Sequence, residues 1–299
     1  MAAEGFLSGD DYLALPRDPQ PWVIRDLIPI GGLVNIYGRP KTGKSFAAIG
    51  IAHAISHSDT SKWLNFDVAK HGRVCYLQLD TPRSTWAERL NIIRKDDYDL
   101  TNIYFADTII APYPFSILIP DHQTWLKNHI KALDPLVVIV DTLREVHSGD
   151  ENDSTVMKNV ISALVDCCAP AACVLLSHSR KENMMGEDIM TDARGSSYIA
   201  GRMDSVVKLT GKNLIYKGRS CGENKFKVRQ HSLTGLLVPD DFEDKLTEAI
   251  INTVAQYPQE SRHFVAKKVH ERLGGEVSVK TIERRIDLLR EGKKFDMPE

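Results

Sequence analysis

Gly38-Arg39-Pro40-Lys41-Thr42-Gly43-Lys44-Ser45 is the stretch from which the rest of the chain is read. The octet fits G-x-x-x-x-G-K-[ST], a Gly-bounded turn whose successive backbone N–H groups face phosphate oxygens. Its neighbours stand in the order this pattern requires. Gly32-Leu33-Val34-Asn35-Ile36-Tyr37 is a short apolar run that reads as a buried strand. Residues 46–55 are apolar and Ala-rich at helical spacing. A helix starting behind the turn adds its positive end to the same anion site. The expected cradle is therefore Gly38, Arg39, Pro40, Lys41, Thr42, Gly43, Lys44, Ser45 and the adjoining Phe46. Lys44 is expected to reach the β- and γ-phosphates of a nucleoside triphosphate, and the Ser45 hydroxyl to coordinate Mg²⁺. The bland alternative is a glycine turn that happens to carry Lys-Ser.

Composition sets the frame around that loop. At 299 residues the chain exceeds one typical domain, so a large domain with a smaller one is the natural arrangement. The net charge of −2 excludes a global basic field, which leaves any nucleic-acid contact to local patches. None of Cys75, Cys167, Cys168, Cys173 and Cys221 stands at C-x-x-C spacing, so neither a zinc site nor a disulfide framework is indicated. A reducing cytoplasm is the expected compartment. No signal peptide is read, and no apolar run is long enough to span a bilayer, so no membrane partner is expected.

Residues 1–20, rich in Pro, Gly and Asp, read as an irregular arm. From 21 to 240 the pattern alternates. Apolar runs at 33–37, 74–79, 103–106, 136–140, 173–177 and 206–209 read as strands; 46–56, 86–94, 123–132 and 154–168 read as helices. Short continuous apolar strands between helices indicate an α/β fold with a mostly parallel sheet covered on both faces. Residues 214–216, 225–230 and 236–238 read as antiparallel edge strands. After Pro239-Asp240-Asp241, residues 243–299 form a small helical domain of three short helices, the third basic. It is similar to a helix-turn-helix or winged-helix module, and equally to a bundle used for packing or oligomerisation.

Three further strand ends carry polar side chains. Val137-Val138-Ile139-Val140 runs into Asp141, which is expected to hold Mg²⁺ alongside Ser45. The strand at 74–79 runs into Asp80-Thr81-Pro82, at the edge where ligands bind in open α/β sheets. Asp80 is the candidate for orienting or deprotonating the attacking water, with a simple turn former as the other reading. The third run ends in Ser177-His178-Ser179. His178 is either a sensor donating to the γ-phosphate or a satisfied structural histidine.

Taken together these elements resemble the RecA-like P-loop ATPases, and most closely the RepA-type hexameric helicases of plasmids and phages. Asp141-Thr142-Leu143-Arg144 with His147 and Asp150-Glu151-Asn152, then Ser177-His178-Ser179-Arg180-Lys181, then Arg194-Gly195-Ser196-Ser197 are similar to motifs of that family in order and spacing. The likeness covers roughly 21–238. It implies a RecA-like core and an ATP-hydrolysing motor on single-stranded DNA. It also implies a homo-oligomeric ring, a hexamer, with each ATP sandwiched between subunits. In related DnaB-type helicases a Lys-x-Arg pair reaches the neighbour's γ-phosphate; Lys217-Gly218-Arg219 matches it, although unaided by the resemblance it is an exposed basic turn. One departure matters: the family has Glu where this chain has Asp80. The carboxylate then sits about an ångström further from the water, which leaves slow hydrolysis or an ATP-driven assembly switch open. A recombinase-like or loader ATPase that does not unwind, and a DNA-binding regulator, remain as alternatives.

Between 179 and 231 the chain has eleven Lys and Arg against six Asp and Glu, so this segment is locally basic within an acidic protein. The resemblance places a DNA-contacting loop at 180–194, with Arg180, Lys181 and Arg194 as its cations. Lys280, Arg284 and Arg285 on the third C-terminal helix are a second candidate DNA contact, with a subunit contact as the rival.

Overall fold

The computed structural model describes residues 6–16, 21–95, 98–179, 189, 201–219, 221–231, 234–275 and 277–291. Strand β1 (Trp22–Ile24) pairs antiparallel with β2 (Ile28–Pro29), and the chain then enters its central sheet at β3 (Leu33–Gly38). The helix Lys44–Ser56 follows, then a second hairpin of β4 (Lys62–Trp63) and β5 (Phe66–Asp67). All later strands belong to the central sheet. They are β6 (Val74–Gln78), β7 (Ile103–Ala106), β8 (Val137–Asp141), β9 (Ala172–His178), β10 (Ser205–Leu209), β11 (Asn213–Gly218), β12 (Asn224–Gln230) and β13 (Leu237–Pro239).

The nine strands lie in the order β13-β12-β11-β10-β3-β9-β8-β6-β7. From β10 to β7 every pairing is parallel, and β11, β12 and β13 extend the sheet antiparallel. Parallel strands need cover on both faces, and the burial shows it: every residue of β3 and of β8 is buried. One face packs on the Lys44–Ser56 helix and on Trp86 and Ile93 of the helix Arg83–Lys95. The other packs on the helices Pro120–Leu133 and Ser154–Cys168. This is the mostly parallel α/β core expected from the alternating runs.

Residues 242–291 form the helices Phe242–Gln256, Arg262–Arg272 and Val279–Glu291, which share an apolar cluster of their own built on Leu246, Ile250, Val265, Val269, Ile282 and Ile286. Ser261 and Ser278 start the second and third helices, accepting from the N–H groups of Phe264 and Thr281. The turn between those helices meets the end of the phosphate-loop helix's own connection: Ser61 N donates to Gly274 O at 2.7 Å. The arm read as irregular contains a short helix, Gly9–Leu13, started by Ser8, whose Oγ accepts from Asp11 N. Among the described residues no helix is long and apolar enough to cross a membrane.

Candidate functional site

The carboxyl ends of four adjacent parallel strands meet at one edge of the sheet. Gly38 of β3 is in register with His178 of β9, Leu176 of β9 with Asp141 of β8, and Asp141 with Gln78 of β6. Asp80 lies two residues beyond Gln78. Sequence-distant Lys44, His178, Asp141 and Asp80 thereby line one cavity of about 400 Å³, together with Pro40, Lys41, Gly43, Ser45, Phe46, Thr81, Arg89, Thr142 and Gln230. Two glycines fix the loop's shape. A Cβ on Gly38 would stand 2.4 Å from Leu209 O, and Gly43 has φ +92° where it opens the helix.

Lys44 is buried, and its Nζ donates to the carbonyl oxygens of Gly38 at 3.1 Å and Arg39 at 3.0 Å. The same nitrogen is 3.5 Å from His178 Nδ1. Burial lowers the Lys44 pKa, and the nearby Asp141 and Asp80 carboxylates oppose that shift. A further anionic group, such as a polyphosphate, would favour the ammonium more.

Asp141 is 2% exposed. Tyr76 Oη donates to its Oδ2 at 2.9 Å from the adjacent strand, and the Ser45 hydroxyl also donates to the carboxylate. Burial is the main cause that raises the Asp141 pKa; the two hydroxyl bonds and Lys44 lower it, and Asp80 raises it. Burial and the Asp141 charge likewise push the Tyr76 phenol up, so it stays a donor. Burial disfavours the ionised carboxylate, and a bound cation would restore it. Ser45 and Asp141 in hydrogen-bond contact supply the two hard oxygens that suit Mg²⁺, which takes its other ligands from water and phosphates.

A family model described as an AAA domain matches residues 4–184, more than half of the chain. The chain belongs to this AAA domain family. No curated protein matches it. Among solved structures, the ATPase domain of G40P superposes with a TM-score of 0.51 at 16% identity, covering 70% of this chain and 84% of that one; the likeness is one of fold. A KaiC-like protein from the archaeon Pyrococcus horikoshii gives 0.49 at 12% identity, over 75% of this chain and 99% of that one. Family and fold together make this AAA-domain chain a nucleotide-binding P-loop ATPase with a RecA-like core.

The remaining candidates fall elsewhere. Lys217 lies near the end of β11 and Arg219 just beyond it, where Gly218 is in register with Ser205 of β10 and Ser205 with Val34 of β3. That is the amino edge of the parallel strands, opposite the cleft, so neither reaches its own chain's nucleotide site. Arg219 is engaged there: Nη2 donates to Gly201 O at 2.9 Å and Nε to Met203 O at 3.1 Å, and Nε lies 3.2 Å from Asp204 Oδ1. On the third C-terminal helix Lys280 and Arg284 are exposed. Arg285 turns inward, its Nη2 donating to Thr247 Oγ1 at 3.0 Å. Arg180, Lys181, Arg194 and the Arg194-Gly195-Ser196-Ser197 motif lie outside the described residues.

Two lining residues, Arg89 and Gln230, belong to no sequence motif, and neither does Tyr76, which supports Asp141 from the core. Tyr76 was absorbed into an apolar strand, where a tyrosine reads as core. Arg89 faces the cleft from the Arg83–Lys95 helix, its guanidinium carbon 5.6 Å from the Phe46 ring centroid. Gln230 arrives from the end of β12, close enough that a Cβ on Gly43 would stand 3.1 Å from its Nε2. Helical phase relative to Asp80 was the only signal for Arg89, and none existed for Gln230.

Proposed function

We propose that this ATPase is a ring-forming motor on single-stranded DNA, a replicative helicase of the RepA type. The observation that carries the reading is the meeting of the phosphate loop, Asp141, Asp80 and His178 at one sheet edge, in a chain whose motifs follow the order of those helicases. In this account Lys44 and the loop's N–H groups hold the phosphates of ATP. Asp80 orients the attacking water, and His178, beside Lys44, reports the γ-phosphate to the segment that follows it. Ser45 and Asp141 hold Mg²⁺, which when bound neutralises developing phosphate charge. Lys217 and Arg219, remote from their own cleft, serve the adjacent subunit's γ-phosphate, and a hexameric ring is the assembly that allows it. Arg219 must then exchange its Asp204 and backbone contacts for that phosphate. Residues 243–299 are an accessory domain, with Lys280 and Arg284 its candidate DNA contacts; the loop at 180–194 is the other. A cytoplasmic location follows from the same reading.

Asp80 favours a second reading. A carboxylate one methylene shorter than the family's Glu fits an ATPase that switches assembly rather than unwinds. Steady-state hydrolysis with and without single-stranded DNA, paired with a strand-displacement assay, separates the two. The motor reading expects hydrolysis to rise several-fold with DNA and duplex to be displaced. Stimulation without displacement selects a loader or recombinase-like protein, and hydrolysis indifferent to DNA contradicts a DNA motor altogether.

A further inference from the structure

Residues 6–15 gather large apolar side chains that their own chain leaves uncovered. Phe6, Leu7, Tyr12, Leu13 and Leu15 are all exposed, Phe6 by 80% and Tyr12 by 65%. The helix Gly9–Leu13 has no buried residue. Five residues are far below the length at which an isolated helix holds in water, so such a turn takes its stability from packing. The charge of this stretch has one sign. Asp10 and Asp11 stand in the first helical turn, and no Lys or Arg precedes Arg17. Ser8 Oγ donates to Asp11 Oδ2 at 2.6 Å, which fixes that carboxylate at the start of the helix. The arm is an acidic, apolar segment of the kind that orders against a complementary surface.

Such a surface lies where the β4–β5 hairpin meets the C-terminal helices. A groove of about 390 Å³ opens there, nearly the size of the nucleotide cleft. Leu64 of the hairpin, Phe242 and Leu246 of the first C-terminal helix, and Leu273 and Val277 after the second give it apolar walls. Lys62, Lys245 and Arg272 also line it, against one acid, Glu271. Glu271 is engaged by Lys268 at 2.7 Å, and Lys245 by Asp241 at 2.9 Å; Asp67 stands opposite Lys62 in the hairpin. The lining suits a guest that is both apolar and acidic. The two sides of the groove are fixed to each other. Ser61 donates to Gly274 O through its N at 2.7 Å and its Oγ at 3.1 Å, and a Cβ on Gly275 would run into Asp59 O.

We propose that residues 6–15 of one copy of this chain dock in this groove of another copy. The apolar side chains of the arm rest on the groove's walls, and Asp10 and Asp11 stand beside Lys62 and Arg272. The inference rests on the ring reading and names a contact that holds the ring together. Those apolar side chains are exposed within their own chain, so what covers them comes from another molecule, and the ring supplies a second copy. An arm-to-groove contact is heterologous: it passes from copy to copy and closes on itself in a ring. It also gives the C-terminal domain a part in assembly that is independent of DNA.

The test is sedimentation velocity of the full chain over a concentration series in Mg²⁺–ATP. Asp10→Lys/Asp11→Lys and Lys62→Glu/Arg272→Glu change exposed residues, so thermal melts should stay at the wild-type value. Each variant alone brings like charges together in the contact. Each is expected to need at least about tenfold more protein to assemble. Mixed in equal amounts, the two should assemble at the wild-type concentration, because every arm then meets a groove of opposite sign on its partner. Tyr12→Ser/Leu13→Ser removes apolar contact and should weaken assembly to a similar degree. If all three variants assemble as wild type does, the contact is refuted while the ring reading stands. If both charge variants fail and their mixture fails as well, the arm does not act between copies and the proposal is overturned. If wild type stays monomeric, the contact and the ring fall together.

Discussion

Lys44→Ala is expected to lower ATP hydrolysis by about 10²–10³-fold, the range for removing one charged or hydrogen-bonding stabiliser from a transition state. The side chain is buried at the mouth of the helix, among the loop carbonyls, His178 and two carboxylates. Lys41 and Arg89 also line the cavity, from further along the loop and from another helix. The fold should survive, because the lost ammonium is one that burial already disfavours, and the two carbonyls it leaves border an open cleft. Turnover with Mg²⁺–ATP and a thermal melt check both halves. Turnover within twofold of wild type would show that the phosphates bind elsewhere.

Asp141→Asn separates chemistry from stability. Hydrolysis should fall by roughly 10²–10³-fold, since the site would lose the carboxylate proposed to hold the metal. Stability at neutral pH should rise. The folded-state pKa of Asp141 is raised above its unfolded value, chiefly by burial, and that net shift already includes the attraction of Lys44. A carboxyl of this kind favours the fold fully below its unfolded pKa, and loses that contribution as pH rises through the folded pKa. Above the folded-state value the ionised form therefore costs stability that an uncharged isostere does not, and the amide oxygen can still accept from Tyr76. The excess melting temperature of the variant should shrink as pH is lowered through the raised value into the ordinary carboxylate range. A variant less stable than wild type at neutral pH, or a gap that widens on acidification, would contradict this electrostatic account.

Much of the core was legible because burial on both faces leaves a plain signature. The six parallel strands are continuous apolar runs, and β3 and β8 gave themselves away by ending in the phosphate loop and in Asp141. Their lateral order was not legible: nothing local to residues 172–178 says that β9 lies between β3 and β8, a matter of how crossovers pack. The hairpins β1–β2 and β4–β5 are too short to show a period, and the Gly9–Leu13 helix is masked by the Gly, Asp and Pro around it. In the site, residues belonging to a spaced motif are legible, whereas Arg89 and Gln230 reach the cleft, and Tyr76 reaches Asp141, only through tertiary packing. Lys208, Lys217, Lys225 and Lys227 are scattered in sequence, and only the antiparallel registers of β11 and β12 collect them on one side. Those registers also carry Lys217 and Arg219 to the edge away from the cleft.

Calorimetric titration of the full chain with ATP in magnesium buffer, repeated with Lys44→Ala, probes the loop most directly. Saturable binding of one ATP per chain, greatly weakened by the substitution, is the predicted outcome. A wild-type chain that takes up no ATP, or a variant that binds it as tightly, would mean that the carboxyl edge of this sheet is not where the triphosphate sits.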